Sequence, residues 1–164
     1  MTLNRENAEL RKYEDDLYVS GMGLIVMGLW GVVKATLGVF WGAESTVTFE
    51  ADSALSKAVL IIFTVIAVAV MSALIMYYHF YIGLNAIRAS KGKPHKKGYM
   101  VGTCIMLLLN LISLFYYKDK FTDMKNIDTT IASLLVDMTT AYVCLSVIIT
   151  TNKVRKYRKE KPRE

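Results

Sequence analysis

Four apolar blocks, each about as long as an α-helix must be to cross a bilayer, leave this chain little choice of fold. They are Leu17–Trp41, Ala58–Leu84, Tyr99–Tyr117 and Ile127–Thr150. Lipid offers no partner for a backbone amide, so each block must satisfy its hydrogen bonds within itself or in a closed barrel. A barrel does not fit. The blocks are continuous rather than alternating, about two- to three-fold longer than barrel strands, and rich in Leu, Met and Ala. The expected fold is an all-α integral membrane protein, with four transmembrane helices in an antiparallel bundle. Composition agrees: 54% of the residues are hydrophobic and the mean hydropathy is +0.34, which is unusual for a soluble domain.

The blocks divide the chain into an N-terminal arm (1–16), a membrane domain (17–150) and a basic tail (151–164). The first block is expected to be a true span rather than a signal peptide. It is too long for an h-region, follows an arm of mixed charge, and lacks a small-residue cleavage pattern after it.

Lys and Arg near the spans predict orientation. The arm holds 3, the second loop 5 and the tail 7, whereas the first loop holds 1 and the third 3. Four spans put the arm, second loop and tail on one side, 15 cations against 4. That side is expected to be the cytoplasm, with both termini inside, as in a bacterial inner membrane. Trp41 and Phe115–Tyr117 then fall at the outer interface, and Tyr77, Tyr78, Phe80, Tyr81 and Tyr99 toward the inner one, where amphipathic rings are favoured. The net charge of +6 is concentrated in RASKGKPHKKG and NKVRKYRKEKPRE. These runs are expected to meet the anionic headgroups of the cytoplasmic face. Nucleic acid is not an expected partner: the runs are short, abut the membrane and carry few aromatics. In the arm, Leu3, Leu10, Tyr13 and Leu17 recur at roughly heptad spacing, compatible with a surface helix or an extension of the first span.

A faint internal echo pairs the two halves. Spans one and three both begin Tyr-x-x-Gly, at Tyr18–Gly21 and Tyr99–Gly102. Spans two and four both end in Asn-x-(Ile/Val)-Arg, at Asn85–Arg88 and Asn152–Arg155. Parallel repeats of this sort occur in transporters, and any four-span chain with basic inner ends also tends to look this way.

The polar residues within the spans carry what chemistry there is. Gly21, Gly28, Gly31, Ala35, Gly38 and Gly42 form a small-residue stripe along the first span, suited to close helix packing within the bundle or against a second copy. Thr130, Ser133, Asp137, Thr140 and Cys144 share one face of the fourth span; Thr103, Asn110, Ser113 and Tyr117 share one of the third. Both faces are expected to turn inward, with Asn110, Ser113, Ser133 and Thr140 in a polar bundle interior.

Asp137 lies near the midplane, about ten residues from the outer end of its span, where an unpaired carboxylate is costly. Lys34, the one basic residue inside a span, lies about seven residues from the outer end of the first. At about 1.5 Å per residue the two backbones differ in depth by roughly 5 Å, which a lysine stem covers. Spans one and four are therefore expected to be neighbours, with Lys34 reaching Asp137. The pair is a structural staple, a titrating transport site, or a lock that opens on binding.

His79, Cys104 and Cys144 share a level toward the inner face and form a weak metal candidate. No two lie on one helix and no fourth ligand is evident; two buried thiols and an interfacial histidine are the simpler expectation. No C-x-x-C, phosphate loop, metalloprotease helix or nucleophile elbow is present, and no cofactor is expected. The chain reads as a non-enzymatic accessory, regulatory or oligomeric membrane component, partnered by lipid and by another subunit or a second copy. The alternative is a small proton- or cation-coupled transporter or channel using Asp137, with Lys34 as counter-charge.

Overall fold

A computed structural model describes residues 2–41, 54–120 and 127–160, with side chains described over 7–36, 55–115 except 57, and 131–159 except 132. The described chain is helical throughout, apart from one short loop. Helix α1 is Thr2–Trp41, α2 Ala54–Ser90, α3 Gly98–Lys120 and α4 Ile127–Glu160. All four are long and apolar enough to cross a membrane. Gly38, Gly42, Thr130, Trp41, Tyr116 and Tyr117, singled out from the sequence, lie outside the described side chains or backbone.

The reason for helix is visible in the polar side chains as well as in the backbone. Thr36, Thr64, Asn110, Thr139, Thr140 and Thr150 each donate to the carbonyl four residues earlier in their own helix. Such back-bonding satisfies the side chain without a neighbour, which suits a segment surrounded by hydrocarbon.

Helix α1 has 40 residues, about 60 Å at 1.5 Å per residue and roughly twice the hydrocarbon thickness of a bilayer. The polar arm thus continues the first span as one unbroken helix. Helix α4 likewise runs through most of the basic tail. Helix α1 packs most heavily on α2 and then on α4; α3 packs on α4, and α2 touches α3 and α4 only lightly.

Packing is uneven along the bundle. The buried core gathers where the arm, the α2–α3 loop and the tail meet, here called the basic end. Leu17 and Leu24 of α1, Ile82 of α2, Tyr99 of α3 and Cys144 and Val147 of α4 are fully enclosed. Leu10 and Tyr13 of the arm pack against this core. By contrast, none of the most apolar stretch of α2 is buried; Val59, Ile62, Phe63, Ile66 and Val70 are exposed.

Two glycine contacts set the α1–α2 crossing. A Cβ on Gly21 would lie 2.9 Å from the carbonyl oxygen of Gly83, and one on Gly28 would lie 2.6 Å from the Cβ of His79. Only hydrogen fits at either place. Gly31, by comparison, faces Ile75 at an ordinary 3.6 Å.

Candidate functional site

Two polar constellations are built on this frame. The first joins α1, α3 and α4. The Lys34 ammonium donates to both carboxylate oxygens of Asp137, at 2.8 and 3.0 Å, and the Ser113 hydroxyl donates to Oδ2 at 3.2 Å. Lys34 and Asp137 thus sit as a hydrogen-bonded ion pair, with side chains 34% and 13% exposed. Lower on the same interface the hydroxyls of Ser20 and Ser146 hydrogen-bond at 2.8 Å. A buried charge needs both a counter-ion and hydrogen bonds, and Lys34 with Ser113 supplies both for Asp137.

The other inward residues behave differently. Thr140 is buried, and Asn110 and Ser133 are half-buried. Asn110 and Thr140 bond within their own helices, to the carbonyls of Met106 and Val136, rather than reaching across. Ser113 is the member of that set that the structure brings to Asp137.

The metal candidate does not assemble. Cys104 is exposed on α3, Cys144 is enclosed in the core, and His79 lies against Gly28 with Nδ1 2.8 Å from the Ile75 carbonyl oxygen. Among the described residues no three His, Cys, Asp or Glu side chains are placed to hold a metal. Equal depth was the basis for grouping them, and depth says nothing of helix rotation.

The second constellation is the basic end, and its centre is Arg158. Its guanidinium donates to Glu14 Oε1 from Nε and Nη2, at 3.2 and 2.6 Å. It also donates to the carbonyl oxygens of Ala89 and Ser90, at 2.8 and 2.7 Å. The last carbonyls of a helix lack the usual donor four residues on and are open to a side chain, so one arginine ties α1, α2 and α4 together. Helix α2 meets it with a Schellman ending: Lys93 N donates to Arg88 O at 2.9 Å, Gly92 N to Ala89 O at 3.2 Å, and Gly92 has a φ of 67°. That left-handed backbone is where glycine is favoured. Asn85 then fixes the loop, accepting from Lys96 N at 3.0 Å and donating to the Tyr81 carbonyl.

Around this point Tyr13 stacks on Tyr157, Tyr157 donates to Glu9, and Lys153 sits over the Tyr13 ring. The Tyr99 and Thr151 hydroxyls, both buried, hydrogen-bond at 3.0 Å. The paired positions of the sequence echo divide here. Gly21 and Gly102 are both buried against α2. Yet Asn85 is buried and bonded while Asn152 is exposed, and Tyr99 is buried while Tyr18 is exposed.

Sequence reasoning missed Arg158 because a basic tail was read as surface charge. The available signal was Val147, Thr151, Val154 and Arg158, which continue the inward spacing of α4 past the end of its apolar block. Comparison with protein-family models, curated proteins and solved structures finds no match for this chain.

Proposed function

We propose that this chain is a non-catalytic component of a membrane assembly, acting through contacts between helices in the bilayer. The observation that carries the reading is the contrast along α2. Its basic end is pinned by glycine packing and by Arg158, while its apolar half presents Val59, Ile62, Phe63 and Ile66 outward, unburied. Lipid or a second helix can lie there, and the partner is a second copy or another subunit.

Contacts rise through α1 as they fall through α4, from Tyr13–Tyr157 to Ser20–Ser146 to Lys34–Asp137. That supports an antiparallel bundle. With 15 Lys and Arg in the arm, the second loop and the tail against 4 in the other two loops, the positive-inside rule supports both termini in the cytoplasm of a bacterial-type cell, at anionic headgroups.

Photo-crosslinking from position 63 or 66 in membranes tests the assembly reading. Discrete protein adducts are expected. Lipid adducts alone, with a purified chain that runs as a monomer, sink it.

A second reading is a proton- or cation-coupled transporter. Asp137 favours it: the carboxylate sits mid-span with a serine hydroxyl beside it, and its lysine partner is a third exposed. Flux in liposomes by the purified chain, abolished in Asp137→Asn, would establish this reading in place of the first.

A further inference from the structure

A cleft of about 230 Å³ opens at the basic end between all four helices and the α2–α3 loop. Leu17, Ala89, Tyr99 and Val154 form an apolar floor; His95, Arg155 and Lys159 stand at its rim, with Arg158 beside them. We propose that this cleft binds the phosphate headgroup of an anionic membrane lipid.

Depth is the first argument. Each helix lining the cleft does so where its sequence changes from apolar to charged: Leu17 follows Glu14-Asp15-Asp16, Ala89 precedes the Lys91–Lys97 run, Tyr99 follows it, and Thr151 precedes the basic tail. Four such transitions at one cleft mark the level of the membrane surface.

Charge is the second. Arg158 is neutralised by Glu14, so it shapes the wall rather than attracting an anion. Arg155 is different. Its guanidinium donates to the Met100 sulfur at 3.3 Å, a weak acceptor, and among the described residues no carboxylate pairs with it. A planar fork of this kind suits a phosphate, and Lys159 adds a second positive charge. His95 is oriented by its edge contact with the Tyr99 ring and by Nδ1 lying 3.0 Å from the Lys93 carbonyl oxygen, so that in the neutral ring Nε2 is an acceptor, suited to a headgroup hydroxyl rather than to the phosphate.

Depth also decides between sources. Leu17, Ala89, Tyr99 and Val154 are enclosed and offer acyl chains no surface, but a cleft at the level of the headgroups meets lipid phosphate ahead of phosphate free in solution. Basic pockets between helices at the cytoplasmic surface are a known mode of headgroup recognition.

The full-length protein, purified in detergent, would be given mixed micelles of phosphatidylglycerol and phosphatidylcholine in equal parts, and retained lipid read by native mass spectrometry. Wild type is expected to keep phosphatidylglycerol in preference. The R155Q/K159Q variant should weaken that preference roughly thirtyfold, from two lost surface cations. R11Q/K12Q, an equal charge change on exposed residues of α1 outside the cleft, should leave it intact. Should the first variant not fold, K159Q alone on the exposed rim carries the same test, with a loss of about fivefold expected.

Equal retention of both lipids by wild type overturns the proposal. So does an equal loss in the two double variants, which means diffuse attraction, or displacement of the lipid by millimolar inorganic phosphate, which means a free-anion site. The proposal rests on the membrane reading. That reading fails separately, if the protein stays monodisperse without detergent.

Discussion

Gly21 and Gly83 exclude side chains from one another. A Cβ on Gly21 would lie 2.9 Å from the Gly83 carbonyl oxygen, and a Cβ on Gly83 would lie 2.7 Å from that of Gly21. In lipid there is no hydrophobic drive to press helices together, so close backbone packing of this kind carries much of their association. Gly83→Ala should therefore force α1 and α2 apart at a cost of about 1–3 kcal/mol. Gly31→Ala, where ordinary contact is available, should be neutral or slightly stabilising through helix propensity. Unfolding in mixed micelles would show the contrast; equal effects at both positions would remove the crossing from the account.

The ion pair makes a prediction about coupling. Lys34→Met or Asp137→Asn alone leaves a polar group facing the wrong surroundings, at a cost of about 3–5 kcal/mol by analogy with soluble cores. The double variant should recover most of that loss, because an apolar replacement of a whole buried pair is often neutral. A double-mutant cycle in nanodiscs measures the coupling directly. Additive losses would show that the contact contributes little.

Arg158→Lys keeps the charge and loses the fork. A single ammonium cannot hold Glu14 and the carbonyls of Ala89 and Ser90 with the geometry seen. The last turn of α2 should loosen by about 1–2 kcal/mol, seen as faster hydrogen exchange at the amides of Lys91, Gly92 and Lys93. Unchanged exchange there would mean that the Schellman ending suffices without the arginine.

The two cysteines should separate cleanly. Cys104 is exposed and Cys144 is in the core. A small membrane-permeant thiol reagent should modify one site in folded protein and both after denaturation in SDS. In Cys104→Ser the folded protein should take up no label; label on Cys144 in that variant would mean that the core near Val147 opens readily.

What could be read in the sequence follows from what a regular helix fixes. Rise per residue is constant, so span lengths and relative depths are arithmetic, and the approach of Lys34 to Asp137 follows from depth together with the cost of leaving the acid alone. Rotation is not arithmetic. Nothing in the spacing of Asn110, Ser113 and Thr140 says that Ser113 turns to the carboxylate while the other two bond their own helices. The same ignorance groups His79 with two cysteines that do not converge with it on one metal position. The basic end was the largest omission. Lys and Arg beyond a span ordinarily report orientation, and composition does not distinguish an exposed Lys156 from an Arg158 whose three nitrogens each donate, joining three helices.

The uneven packing of α2 has a mechanical consequence. A rod clamped over its last turns by Gly83, His79 and Arg158, and beyond Ile75 no more than half-buried along the single face of Thr64, Val68 and Ser72, is a cantilever. The clamp sets where it pivots; the lean of its far half is left to the surroundings. A thicker bilayer would draw it upright, a thinner one would tip it, and a neighbouring helix would hold it at one angle.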